Sequence, residues 1–150
     1  MMRSKRFEPI QEVVERSAQE LSRGMGEAAG RVADLERQLE QLKRYRDEYL
    51  AKPLAAGGSV DAVRLQNYRS FLERLGAALR QCEEALALAR AEYERRRAEW
   101  SEKRIEAESL SRVVERYRTE ERRAEDALEQ READDTGRRL AARIAEDTAD

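Results

Sequence analysis

The stretch that decides the fold is AKPLAAGGSVDAV, Ala51–Val63. Pro53 cannot continue a helix, because its ring removes the N–H that the helical ladder needs and clashes with the preceding turn. Gly57-Gly58 marks a turn, and Ser59 or Asp61 offers a side-chain oxygen to cap whatever helix follows. This is the one strong break in 150 residues that hold only 7 Gly and 2 Pro. The pattern on either side of it therefore settles the architecture.

Working back from the break, apolar residues step by three and four: Leu42, Leu39, Leu35, Val32, Ala28, Met25, Leu21, Ala18 and Val14. Residues between them are mostly Glu, Arg, Gln and Asp. That is the seam and the solvated face of a heptad repeat. The spacing predicts helix one over about 7–52, with Pro9 in its first turn, where a missing N–H costs nothing.

Working forward, the rhythm holds from Leu65 through Tyr68, Leu72, Leu75, Leu79, Cys82, Leu86, Ala89, Tyr93, Arg96, Trp100, Lys103, Ala107, Leu110, Val114, Tyr117, Glu121 and Ala124 to Leu128. Unbroken phase over so many heptads predicts one long helix two over about 61–135, on the order of 95 Å or more at the helical rise. The pattern weakens in TGRRLAARIAEDTAD, Thr136–Asp150, which is expected to be a frayed tail.

Two long helices joined by a turn at about 53–60 predict an all-α fold, an antiparallel two-helix coiled-coil hairpin with a longer second helix, in one domain over 1–150. Counting outward from the turn pairs residues whose numbers sum to about 114. Tyr49 then faces Leu65, Leu35 faces Leu79, and Phe7 lies near Ala107. The seam from Leu110 to Leu128 is left without a partner in the chain. An isolated helix is marginal in water, so the overhang either frays or lies on another protein.

Composition excludes several kinds of function. With no His, imidazole acid–base catalysis and His-ligated metals are absent. One Cys makes no intrachain disulfide and no Cys-cluster zinc site, and a lone unpaired Cys fits a reducing cytoplasm. No apolar run is long enough to span a membrane, and the start, MMRSKRFEPI, has no apolar stretch of a secretory signal. Charged residues make up 41%, yet the net charge is only −2, which argues against a nucleic-acid binder. Neighbouring carboxylates such as Glu83-Glu84 and Glu120-Glu121 do acid–base work only in a cleft that separates their pKa values, and a helical pair has none. The clusters around Arg95-Arg96-Arg97, Arg122-Arg123 and Arg138-Arg139 have acidic neighbours at helical spacing, so they read as surface pairing.

The informative cluster lies beside the turn. Tyr45, Tyr49, Tyr68 and Phe71 crowd there with Leu42, Leu72 and Leu75. One narrow seam cannot bury adjacent residues such as Phe71 and Leu72 together. Some of these rings should stay exposed, and two readings stand side by side: anchors for a protein partner, or a cap on the seam at the turn end.

The chain resembles the FliJ family, the coiled-coil stalk proteins of the flagellar type III export apparatus. The resemblance rests on KRFEPI at Lys5–Ile10, QLEQLKRYRDEYL at Gln38–Leu50, the Gly-containing turn, NYRSFLERLGAAL at Asn67–Leu79 and EQREADD at Glu129–Asp135. Departures are RQCEEAL, where the family is Gln-rich, and Asp134-Asp135-Thr136-Gly137, where it reads Asp-Glu-x-Ala.

This resemblance implies a non-enzymatic, cofactor-free protein. It would insert into the export ATPase ring like a rotary stalk, promote ring assembly and activity, contact the cytoplasmic domain of the export gate (FlhA) and escort export chaperones. It would be cytoplasmic, and peripheral to the inner membrane at the basal body only through these partners. The family's gate surface carries over to Gln38, Leu42, Tyr45 and Tyr49 on helix one and to Phe71, Leu75, Ala78 and Cys82 on helix two. The ATPase end would carry Phe7, Ile10, Val14, Leu110, Val114 and Tyr117. Two alternatives are an equivalent stalk of a virulence type III secretion system and a generic coiled-coil scaffold or homodimer.

Overall fold

The computed structural model describes residues 2–52 and 61–149. Among them are two helices and no strand: α1, Arg3–Ala51, and α2, Ala62–Ala149, of 49 and 88 residues. The fold is all-α, a helical hairpin whose second helix is the longer. The expected turn at 53–60, with Pro53, Gly57, Gly58 and Ser59, lies outside the described residues. Asp61 is the cap of α2: its Oδ1 accepts the Val63 N–H at 3.3 Å and its carbonyl accepts the Leu65 N–H at 3.1 Å.

Both helices overrun the expected bounds. α1 starts at Arg3, so Pro9 sits inside the helix and not in its first turn. The residues ahead of it are held by contacts to α2, described below. At the other end α2 continues through Ala149, past the expected limit at Asp135. Its composition from Arg122 onward, rich in Ala, Glu and Arg, has high intrinsic helix propensity, although every described residue from Arg122 onward is exposed.

The chain forms two compact units: Ala18–Glu102, and Met1–Ser17 with Lys103–Asp150. In Ala18–Glu102 the two helical segments run antiparallel. The core joins Leu35 and Leu39 of α1 to Leu75, Leu79, Cys82, Leu86 and Ala89 of α2, with Val32, Leu42, Phe71 and Ala85 packed against it. Burying a leucine side chain contributes about 1.5–3 kcal/mol, so this seam is the main stabilising element of the unit. Pairing is set by side chains, not by counting from the turn: Tyr49 stacks on Tyr68 where Leu65 was expected, and Cys82 reaches the Leu35 backbone where Leu79 was expected.

In the unit of Met1–Ser17 with Lys103–Asp150, Phe7 stacks on Tyr117 at 5.5 Å between centroids. Glu8 pairs with Arg118 at 3.1 Å, and Val114 is 1% exposed. Phe7 was expected near Ala107, with Leu110 to Leu128 uncovered. Instead Leu110 and Tyr117 are half-buried and Val114 is fully covered, so the uncovered part of α2 begins after Glu121.

Candidate functional site

The site is built on the unit Ala18–Glu102, where four rings from both helices meet. Tyr49 lies over Tyr68 at 5.1 Å and 17°, and against Phe71 at 4.1 Å and 37°. Tyr45 tilts onto Phe71 at 6.0 Å and 44°. Such offset and tilted pairs each contribute about 0.5–1.5 kcal/mol beyond the area they bury. The chain of rings ends at Tyr45, which is 57% exposed.

Beside Tyr45 is a shallow groove of about 390 Å³ lined by Leu42, Tyr45, Phe71, Arg74 and Leu75. Its floor is apolar and continuous with the buried core through Leu75. Arg74 borders it as a cation, its Nε donating to the Ser70 carbonyl at 3.4 Å. An apolar, partly aromatic surface on a rigid helical pair, with one guanidinium at its rim, is suited to a protein anchor.

Of the eight residues carried over as a gate surface, Leu42, Tyr45, Phe71 and Leu75 line this groove, and Tyr49 backs it through the ring stack. Gln38 is exposed and Ala78 half-buried. Cys82 is not available to a partner: it is buried, and its Sγ–H donates to the Leu35 carbonyl at 3.6 Å. Arg74 was missed; its place at the rim depends on the register.

The second expected set lies in the other unit. Ile10 is exposed, Phe7 and Tyr117 stack on each other, and Val14 and Val114 are buried. The guanidinium of Arg3 lies 5.7 Å from the Tyr117 ring centroid, a cation–π contact. Next to this pair is a polar clamp. Ser4 N–H donates to Glu121 Oε1 at 3.1 Å, and Ser4 Oγ–H donates to Oε2 at 2.6 Å. The first N–H groups of a helix have no intrahelical acceptor; here a carboxylate of α2 caps the N-terminus of α1. The Ser4 hydrogen bonds hold the Glu121 carboxyl below the ordinary carboxylate value. Ser4 was also missed, although stepping back from Phe7 by three reaches it.

The arginine cluster pairs much as its spacing predicts. Arg95 bonds Glu92 and Glu99, and Arg97 meets Glu94 at 4.0 Å. Hydrogen bonds from Arg95 and then Arg96 lower the Glu92 carboxyl from 4.5 to about 2. Arg96 differs from its neighbours: its Nη1–H donates across the helix pair to the Gly24 carbonyl at 2.8 Å.

The family described as Flagellar FliJ protein matches residues 3–146, nearly the whole chain. The chain belongs to the FliJ family. Nothing matches it among the curated proteins or among the solved structures. As a FliJ-family chain it is a flagellar export-related protein, allied to type III secretion. Among the described residues, no helix is long and apolar enough to cross a membrane.

Proposed function

We propose that this FliJ-family chain is a non-enzymatic linker of the flagellar export apparatus. In this reading one surface docks on the cytoplasmic domain of the export gate and a second engages the export ATPase ring, promoting its assembly and turnover. The observation that carries the reading is the aromatic groove at Leu42, Tyr45 and Phe71, an exposed apolar face standing on a rigid core. It coincides with the surface that the family resemblance assigns to the gate, and it has the composition of a hot spot.

Support for the ATPase contact is the run of α2 beyond Glu121, where Leu128, Leu140 and Ile144 are each more than half exposed. Contact with export chaperones, and recruitment to the cytoplasmic face of the inner membrane, would follow from the same partnerships. A linker held by two partners couples them when its contacts differ between their states.

The gate contact is tested with Tyr45→Ala, which removes an exposed ring and leaves the buried seam intact. Its affinity for the isolated gate domain, measured by calorimetry, is expected to fall roughly tenfold or more, with helicity unchanged. Leu88→Ala, at a residue 73% exposed and away from the groove, is expected to leave affinity unchanged. Equal affinities for Tyr45→Ala and the parent chain would reject the groove as the gate surface.

A further inference from the structure

A seam of repeated heptads has a weakness: sliding one helix past the other by seven residues returns apolar residues to apolar positions. In the unit Ala18–Glu102 such a slide would bring Leu75 to Tyr49 in place of Tyr68, and Ala89 or Leu75 to the Leu35 backbone in place of Cys82. Hydrophobic burial alone does not choose among these registers.

Arg96 does distinguish them. It occupies a seam position, yet its side chain is 35% exposed and is bonded both within α2 and across to α1. Nη1–H donates to the Gly24 carbonyl at 2.8 Å, Nε–H donates to Glu92 Oε1 at 2.8 Å, and Glu27 stands 3.9 Å away. The guanidinium lies directly over Gly24: a Cβ there would meet Nη1 at 3.4 Å, ordinary van der Waals contact. Ala28, Ala85 and Ala89 keep the adjacent groove open. A slide of seven residues would set Ala89, which has no donor, or Lys103, which has no planar fork, against Gly24.

We propose that Arg96 is the register lock of this helix pair, a forked donor that binds the Gly24 carbonyl across the interface and selects the observed pairing over those displaced by one heptad. A single polar residue on a coiled-coil seam fixes register at a cost in stability. The lock places Phe71 against Tyr45 and Tyr49, so the aromatic groove exists in this register alone. The proposal itself does not depend on what binds that groove.

Cys82 provides the test in the full chain. Leu35→Cys, Ala28→Cys and Leu42→Cys are made one at a time, and intramolecular disulfide with Cys82 is measured under mild oxidation. With Arg96 present, the Leu35→Cys pair is expected to close and the other two to stay open. In an Arg96→Met background, closure at Ala28→Cys or Leu42→Cys is expected to rise at least about tenfold, with helicity retained. Arg97→Met, which removes the same charge from an exposed position, is expected to change nothing, and Arg96→Lys is expected to fall between. Exclusive closure at Leu35→Cys in the Arg96→Met chain would overturn the proposal. Loss of helicity there would overturn it too, since Arg96 would then support the fold and not choose the register.

Discussion

Glu121 occupies a seam position of α2, where an apolar side chain is the usual choice, and its carboxylate receives both donors of Ser4. Hydrogen bonding to the charged form lowers its pKa. The resulting stabilisation is present above the unfolded carboxylate value and is lost as pH falls through the lowered folded value. Glu92 behaves alike, with its loss extending toward pH 2. Ser4→Ala removes the hydroxyl donor and keeps the backbone N–H, so the Glu121 titration followed by NMR is expected to move part of the way up toward the ordinary carboxylate range while that of Glu92 stays in place. A Glu121 titration unmoved by Ser4→Ala would mean that the clamp does not form in solution. The pair was half legible in the sequence. Glu121 falls on the three–four rhythm, and a step of three back from Phe7 reaches Ser4, but a polar residue there carries no apolar signal of burial.

At the level of the helices, periodicity was informative and boundaries were not. Every seam position named between Leu65 and Glu121 is buried or half-buried, because heptad spacing follows directly from helix geometry. Boundaries and register depend on individual side chains: Tyr49 on Tyr68 and Arg96 on the Gly24 carbonyl mark the pairing, and Phe7 on Tyr117 and Ser4 on Glu121 hold α1 ahead of Pro9 to Arg3. A proline inside a helix removes one backbone hydrogen bond and crowds the preceding turn. Pro9→Ala is therefore expected to stabilise the unit Met1–Ser17 with Lys103–Asp150 by about 1–3 kcal/mol, read from urea unfolding. No gain would mean that α1 begins after Pro9 in solution. Along α2, residues 129–149 are all exposed. A chain ending at Leu128 is expected to unfold within about 0.5 kcal/mol of the full chain, and amides over 129–149 are expected to exchange fastest. Amide protection there equal to that around Leu79 would contradict the exposed tail.

For the whole molecule, composition narrowed the search: with no His and one Cys there are no residues for imidazole chemistry or a Cys-cluster site, and the nearly balanced charge directs attention to surfaces. The groove was foreseeable as a cluster of rings near the turn, since adjacent bulky residues cannot share one seam. Which members stay accessible was legible in part: Cys82 falls on the named seam and is buried, Tyr45 falls off it and is exposed, although the resemblance put both on one surface. Titration of the purified chain into the flagellar export ATPase is expected to raise ATP turnover to a plateau, and the chain ending at Leu128 is expected to raise it less. A flat rate with the full chain would reject the ATPase role while leaving the gate contact standing.

The bare helix after Glu121 also bears on how long the protein survives in a cell. Peptide bonds in so exposed a segment are open to proteases at every brief unwinding. A partner that sheathes this segment would thus govern the protein's half-life as well as its placement. In a pulse-chase, removing that partner should hasten clearance of the full chain and spare a copy that stops at Leu128.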